Sequence, residues 1–121
     1  MAYELCKKST LIAQQNDEFR RHLGDPAKTS IKGVVHLTRS VTSLPDHEQE
    51  ELYADIAAFN LFREDNDSWG EHDYGRVTAR SGEFYFKIDY FENSDFEYGS
   101  PDASDLDCTY RVMTIAAVED Y

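Results

Sequence analysis

The sequence predicts an α+β fold in which two helices pack on one face of an antiparallel sheet of four or five strands. Three observations predict it: an apolar stripe at helical spacing near the N-terminus, later segments in which apolar and polar residues alternate, and hairpin-length connections between those segments. The 121 residues are 40% hydrophobic, enough for one core and too few for two ordinary domains. We therefore expect one domain over residues 1–121.

The N-terminal segment is predicted to form a helix over residues 3–23. Its apolar stripe consists of Leu5, Ile12, Phe19 and Leu23. Gly24 follows the stripe and Pro26 comes two residues later, which are the usual signals for the end of a helix. The next segment, Ile31–Thr38, alternates along its length and predicts a strand.

A second helix is predicted from Ser43 to about Ala58. Ser43 would be its N-cap, Pro45 is tolerated in a first turn, and Asp46 suits the positive end of the helix dipole. The segment that follows, Phe59–Arg63, is expected to form a short strand.

The clearest local pattern is a hairpin made of Tyr74–Arg80 and Glu83–Phe91. Ser81-Gly82 would be its two-residue turn. This register pairs Arg80 with Glu83, Ala79 with Phe84, and Val77 with Phe86. It places the apolar residues of both strands on one face. A last strand, Thr109–Val118, carries apolar residues on both faces, which is typical of a central strand.

The composition excludes several classes of protein. The chain has 24 acidic and 12 basic residues, a net charge of −12, so it is not an ordinary nucleic-acid binder, which needs Lys and Arg for phosphate contacts. No apolar run approaches the ~20 residues of a membrane span, and residues 1–8 lack the apolar stretch of a signal peptide. We expect a cytoplasmic protein with no membrane partner, in which Cys6 and Cys108 are free thiols.

The negative charge is concentrated in the second half of the chain, where residues 61–121 hold fifteen acidic and five basic residues. One acidic group surrounds Trp69 and comprises Glu64, Asp65, Asp67, Glu71 and Asp73. The other is interleaved with aromatic residues and comprises Asp89, Glu92, Asp95, Glu97, Asp102, Asp105 and Asp107.

These two groups have a plain and a specific interpretation. The plain one is a solvated, solubilising face. The specific one is a partner-binding surface that imitates nucleic acid: a domain of this length is roughly 35 Å across, and duplex DNA of that length carries about 20 charges. The aromatic residues would then act as interface anchors. The expected partner is a basic nucleic-acid-binding protein, with no direct contact to nucleic acid.

The segment 65–75 is the densest in reactive side chains and leaves three alternatives open. Its start is similar to a calcium-binding EF-hand loop, but Arg76 stands where the bidentate Glu belongs. A looser Ca²⁺, Mg²⁺ or Mn²⁺ site would use Asp65, Asp67, Glu71 and Asp73. His72, between Glu71 and Asp73, could be a general base or a metal ligand. The third alternative is a structured loop with Asp and Asn caps, permissive backbone at Gly70 and Gly75, and Trp69 packed underneath.

The order and spacing of several motifs carry a resemblance to a known family. The matching pieces are Asn16–Arg20, Val34–Arg39, Asp65–Asp67, Gly70–Gly75, Phe86–Tyr90, Arg111–Ala116 and Glu119–Tyr121. The chain resembles a bacterial domain family of unknown function, common in proteobacteria and often encoded near plasmid or prophage genes. The resemblance implies a bacterial cytosolic protein from a mobile element, and it implies no catalytic residues.

The function expected from these observations is non-enzymatic inhibition. An acidic protein from a mobile element is expected to bind a CRISPR or restriction effector through both acidic groups, by analogy with inhibitors that look like DNA to their targets. We expect no cofactor, since no phosphate-binding or dinucleotide-binding glycine motif is present. The alternatives are a metal-dependent or acid–base enzyme centred on Glu71, His72 and Asp73, and a structural partner subunit.

Overall fold

The computed structural model describes residues 2–120, with side chains described from residue 8 onward. Over that range it has three α-helices and one four-stranded mixed sheet, so the α+β class is confirmed. The elements are α1 (Ala2–Arg21), β1 (Gly33–Leu37), α2 (Arg39–Thr42), α3 (Asp46–Ala57), β2 (Tyr74–Ala79), β3 (Gly82–Phe91) and β4 (Tyr110–Ala117). None of the helices in residues 2–120 has the length and apolar character needed to cross a bilayer.

The sheet has the strand order β1-β4-β3-β2. The pairs β2–β3 and β3–β4 are antiparallel, but β1 and β4 are parallel, so the prediction of an all-antiparallel sheet was wrong. Most of the chain lies between β1 and β4. This segment is long enough for the crossover connection that a parallel pair of strands needs. The prediction that β4 is central is confirmed: Val112 and Met113, on opposite faces, are both buried.

The hairpin forms, with its register two residues away from the predicted one. Ala79 pairs with Gly82 and Val77 with Phe84, so the turn is Arg80-Ser81 and the predicted Ser81-Gly82 turn was wrong. Gly82 opens β3 with φ 143°, a backbone conformation that favours glycine. A shift of two residues leaves every side chain on its predicted face, because the side-chain period of a strand is two.

Both predicted helices form, with different starts or ends. α1 ends at Arg21, and Leu23 takes a left-handed conformation with φ 50° in the turn that closes it. Ser43 does not cap α3, because it is already the C-cap of the unpredicted α2, and α3 starts directly after Pro45. The end of α3, at Ala57, agrees with the prediction.

The segment Phe59–Arg63 does not form the predicted strand. Its aromatic rings are used for packing instead. The Phe59 ring lies edge-on to Phe86, with centroids 5.4 Å apart, and edge-on to Phe62 at 4.9 Å. These contacts fix the route of the chain from α3 to β2.

One buried cluster joins the helices to the sheet. Phe19 of α1 and Leu52 and Ile56 of α3 are fully buried in the same cluster as Phe86 and Ile115, which are partners across β3 and β4. Burial of side chains of this size stabilises a fold by about 1.5–3 kcal/mol each. That both predicted helices cover one face of the sheet stays a prediction.

Candidate functional site

The topology of the sheet places the two acidic segments at one end of it. β2 starts, β3 ends and β4 starts at the same end, since both pairs are antiparallel. Acidic loop 1 (residues 64–73) leads into β2, and acidic loop 2 (residues 92–107) joins β3 to β4. We call the two loops together the acidic end of the molecule.

The predicted site residues divide into an exposed and a partly buried set. The exposed residues are Glu64, Asp65, Glu92, Asp95, Glu97, Asp105 and Asp107. The partly buried residues are Asp67, Glu71, Asp73, Asp89 and Asp102. The exposed set is accessible to solvent, whereas several of the second set have hydrogen-bonding roles within the fold.

Acidic loop 2 is ordered by its own carboxylates. Asp102 accepts hydrogen bonds from the backbone N–H and the hydroxyl of Ser104, at 3.0 and 2.6 Å, and these bonds lower the pKa of the Asp102 carboxyl. Asp105 accepts from the N–H of Asp107 at 2.9 Å and starts a short 3-10 turn. Such local bonds offset part of the entropy of ordering a loop of like charges.

The start of acidic loop 2 folds back against the sheet. Gly99 forms a β-bridge with Phe91, and the N–H of Glu92 donates to the oxygen of Tyr98 at 2.9 Å. Phe96, with φ 60°, places its ring 5.5 Å from the Phe91 ring. The carboxylates of this loop are therefore held on a defined backbone.

Two aromatic side chains stand out into solvent at the acidic end. Trp69 in acidic loop 1 is 80% exposed and Tyr98 in acidic loop 2 is 65% exposed. The expectation that Trp69 packs beneath its loop was wrong. The turn between Asp67 and Gly70 carries it outward, with the N–H of Gly70 donating to the Asp67 oxygen at 3.0 Å.

The rest of acidic loop 1 agrees with the structured-loop alternative. The Asn66 side chain accepts from the N–H of Arg63 at 2.7 Å and donates to the Leu61 oxygen at 2.9 Å. Gly70 has φ 69°, as expected of a permissive position. Gly75 is different: a Cβ there would lie 2.6 Å from the rings of Phe59 and Phe86, so close packing explains this glycine.

The side chains of Glu71 and His72 have separate hydrogen-bond partners. Glu71 accepts a hydrogen bond from the Tyr90 hydroxyl at 2.9 Å, whereas the Asp73 backbone oxygen accepts from the N–H of Ile88 at 2.8 Å. The His72 ring instead contacts Asp17 of α1. Glu71 and His72 are therefore each held by a partner outside the acid–base centre that these three neighbours suggested.

His72 lies between two other carboxylates. Its Nδ1 is 3.0 Å from each oxygen of Asp17, and its Nε2 is 3.8 Å from Oδ2 of Asp67. The imidazole stacks on the Phe62 ring, 3.9 Å away and nearly parallel. Beside it is an open cleft of about 390 Å³ that Arg20 and Asn60 also line.

A buried polar network lies behind acidic loop 1. Asn16 donates to the hydroxyl of Tyr90 at 2.8 Å and to the backbone oxygen of Glu71 at 2.9 Å, and it accepts from Nε of Arg111 at 2.7 Å. Arg111 also donates to Gln15 at 2.9 Å. Burial raises the pKa of the Glu71 carboxyl and of the Tyr90 phenol. Sequence reasoning missed this network, although Asn16 and Arg111 both lie in motifs of the family resemblance.

The carboxylates proposed for a metal site do not form a ligand cluster among the described residues. In the part of the chain that the structure describes, no three His, Cys, Asp or Glu side chains lie close enough together to hold a metal ion. Asp65 is paired with the exposed Arg63 at 3.4 Å, whereas Asp67 accepts from the backbone N–H of His72. Cys108 is a free cysteine, and the thiol prediction for Cys6 lies outside the described side chains.

Comparison with known proteins places the chain in a family. A family model described as a protein of unknown function, DUF3768, matches residues 37–120. Comparisons with curated proteins and with solved structures find no match. The matched range includes β1 at its last residue, α2, α3, the other three strands and both acidic loops. The chain therefore belongs to the DUF3768 family of proteins of unknown function.

Proposed function

We propose that this chain is a non-enzymatic binding protein whose acidic end occupies the nucleic-acid-binding groove of a basic partner protein. The observation that carries the proposal is Trp69, which is 80% exposed among carboxylates. Tryptophan buries a large apolar area when it has a partner, and it is enriched among the residues that dominate binding energy. A solubilising face has no need of such a residue.

The charge distribution supports the same proposal. No basic residue lies between Lys87 and Arg111, and Arg111 is fully buried. The pairs that Lys8 forms with Asp102 at 3.7 Å and Arg63 with Asp65 at 3.4 Å have largely exposed side chains and are weak for that reason. The carboxylates thus keep a field that attracts a basic groove over several ångströms.

The order of acidic loop 2 is a third support. Its caps and its bridge to β3 hold the carboxylates in place before any partner arrives. A surface that is already ordered loses less entropy on binding than a flexible acidic tail. This is what a replacement for the regularly spaced phosphates of a duplex requires.

The finer proposal concerns the setting of the interaction. The resemblance to proteins encoded near plasmid and prophage genes supports a bacterial cytosolic inhibitor from a mobile element. Its partner would be a CRISPR or restriction effector, which binds nucleic acid through a basic channel. This step is an analogy with other small acidic inhibitors.

The alternatives have less support from the geometry. An acid–base enzyme would need His72 to present a free nitrogen to substrate, but both ring nitrogens face carboxylates, Asp17 and Asp67. A structural partner subunit would need an extended apolar interface. The most exposed large apolar residues among those described are Trp69, Leu61 and Tyr98, and acidic residues lie close to all three in the sequence.

The test is capture of the partner by matched charge-reversal variants. Glu92→Lys/Glu97→Lys changes the acidic end, whereas Glu50→Lys/Asp55→Lys makes the same change in net charge on α3; all four residues are exposed. The tagged proteins are incubated with lysate of a bacterium that carries CRISPR and restriction systems. Bound proteins are identified by mass spectrometry at low and high salt.

We expect the parent protein and the α3 variant to capture the same basic nucleic-acid-binding protein, which elutes as salt rises. The acidic-end variant should lose it. Equal capture by the two variants, or no basic nucleic-acid-binding protein at low salt, would overturn the proposal.

A further inference from the structure

The carboxylate of Asp67 is the unusual group in acidic loop 1. Its side chain is 5% exposed, and a buried carboxylate is costly unless it is hydrogen-bonded and paired with a cation. Two polar contacts join this carboxylate to His72: Oδ1 accepts the backbone N–H at 3.1 Å, and Oδ2 lies 3.8 Å from Nε2. A proton on Nε2 of the imidazole would place a positive charge beside this carboxylate.

The contact of Nδ1 with Asp17, on the other side of the imidazole ring, determines that the proton lost on titration is the one on Nε2. Both oxygens of Asp17 lie 3.0 Å from Nδ1. Because an ionised carboxylate only accepts hydrogen bonds, Nδ1 carries the hydrogen of this contact and is the donor to Asp17 of α1. A protonated histidine donates from both nitrogens, and a neutral one donates from a single nitrogen. In the neutral state the lone pair of Nε2 would face the Asp67 carboxylate.

The other charged residues near His72 do not supply the positive charge that a proton on Nε2 would place beside Asp67. From α1, Arg20 donates to Asp17 at 2.9 Å, and Arg21 lines the same cleft but is paired with Glu18 at 3.9 Å. The C-terminal end of α3 contributes only uncharged residues to this cleft. The chain neighbours Glu71 and Asp73 add negative charge, and His72 itself has φ 58°, a conformation that is strained for a non-glycine residue.

We propose that His72, which stays bonded to Asp17 of α1, is a pH-sensitive tether that holds the turn of acidic loop 1 at Asp67 when protonated and releases that turn when neutral. Imidazole side chains change charge between about pH 5 and pH 8. Raising the pH through that range replaces an attraction between Nε2 and Asp67 by a repulsion, and Asp67 gains hydration if its turn opens. Because Trp69 is on that turn, and given the proposed function, the tether would order the anchor for its partner at acidic pH.

The chain provides a direct probe, because Trp69 is its single tryptophan. Fluorescence anisotropy of Trp69 is measured in the isolated protein between about pH 5.5 and pH 8, the range in which histidine titrates. We expect anisotropy to fall as pH rises, since the loop gains motion. His72→Gln should abolish this step, and Asp67→Asn should keep the anisotropy high throughout, because an amide does not repel a neutral imidazole.

His22→Gln is the matched control, since His22 is paired with Glu18 on α1 at 3.4 Å, away from the loop. It should keep the pH step. A flat profile in the parent protein, or a step that persists in His72→Gln, would overturn the tether. If His72→Gln fails to fold, as judged by circular dichroism, a pH step that survives in Asp67→Asn overturns it equally well. No partner is present in this experiment, so its failure leaves the proposed binding function standing, and loss of that function leaves the tether standing.

Discussion

Arg111 shows how much of this fold depends on one buried polar side chain. It is fully buried, it donates to Asn16, Gln15 and the Ala103 oxygen, and its Nη1 has no hydrogen-bond partner among the described residues. Burial lowers the pKa of its guanidinium. The residue joins β4 to α1 and to acidic loop 2, so it positions the acidic end and does not face a partner.

Replacing this residue should be costly. Arg111→Met leaves the acceptors of Asn16 and Gln15 buried without donors, which costs roughly 2–5 kcal/mol of unfolding free energy in total. Urea denaturation measures it. Arg76→Met, which removes an exposed ion pair with Glu83, is the control and should cost less than about 1 kcal/mol. Equal losses in the two variants would contradict the role given to the network.

The buried surroundings of Glu71 predict how the unfolding free energy of the protein changes with pH. Burial raises the pKa of this carboxyl in the folded state, so the native protein holds a proton that the unfolded chain has already lost. Its contribution to stability therefore falls as pH rises through that range. Glu71→Gln keeps an acceptor for Tyr90 without this penalty.

The variant should therefore gain stability relative to the parent protein as pH rises from about 4 to 7, the range above the ordinary carboxyl pKa. Urea unfolding at both pH values measures the difference. A difference between the two proteins that does not change with pH would contradict the assignment.

Replacing Trp69 should weaken binding of the partner and leave the stability of the fold nearly unchanged. Because its side chain is 80% exposed, Trp69→Ala should change the unfolding free energy by no more than about 0.5 kcal/mol. Loss of an interface anchor costs about 2 kcal/mol or more of binding, so capture of the partner should weaken at least tenfold. Leu37→Ala, at the opposite end of the sheet, is the control and should leave binding unchanged. Unchanged binding by Trp69→Ala would remove the main support for the proposed surface.

At the scale of elements, Gly33 explains how α1 and β4 approach β1. A Cβ on this residue would overlap the backbone oxygen of Arg111 and lie 2.6 Å from the Phe19 ring. Gly33→Ala should destabilise the protein by about 1–3 kcal/mol, as overpacking does. Gly99→Ala, where the nearest atom is 3.7 Å away, should be close to neutral. Thermal unfolding of both proteins checks the contrast, and a stable Gly33→Ala would mean that β1 can move away from β4.

The secondary-structure elements differ in how far the sequence alone could predict them. The hairpin and β4 follow from alternation in the sequence, a local signal. The parallel pairing of β1 with β4 depends on contacts between residues far apart in the chain, such as Val35 with Met113. No pattern within either strand specifies it. The register of the hairpin shifted by two residues because a pattern of period two fixes the face and leaves that shift open.

The candidate site was predictable to a similar extent. The acidic residues are visible in the sequence, and the topology brings their two loops to one end. The pair of Asp17 and His72 spans 55 residues, and that of Asn16 and Arg111 spans 95. Sequence neighbours alone suggested Glu71 and Asp73 as partners of His72. Only the packing of α1 against acidic loop 1 shows that Asp17 takes that place.

At the scale of the whole molecule, the net charge of −12 is the dominant property. Among the side chains described from residue 8 onward, the basic residues Arg20 and Arg111 are buried, so the surface carries a larger excess of negative charge than the composition suggests. Like charges repel one another within a fold, and salt screens that repulsion. The acidic end concentrates this charge beside exposed aromatic rings, and a basic groove would relieve the repulsion by binding it.

The central claim is that the acidic end takes the place of nucleic acid on its partner, and direct competition tests it. The captured partner is loaded with a fluorescently labelled DNA duplex, and the protein is added at constant salt while the anisotropy of the label is followed. We predict that the protein displaces the duplex, and that Glu92→Lys/Glu97→Lys fails to do so while Glu50→Lys/Asp55→Lys succeeds. Simultaneous binding of duplex and protein to the partner would contradict the account.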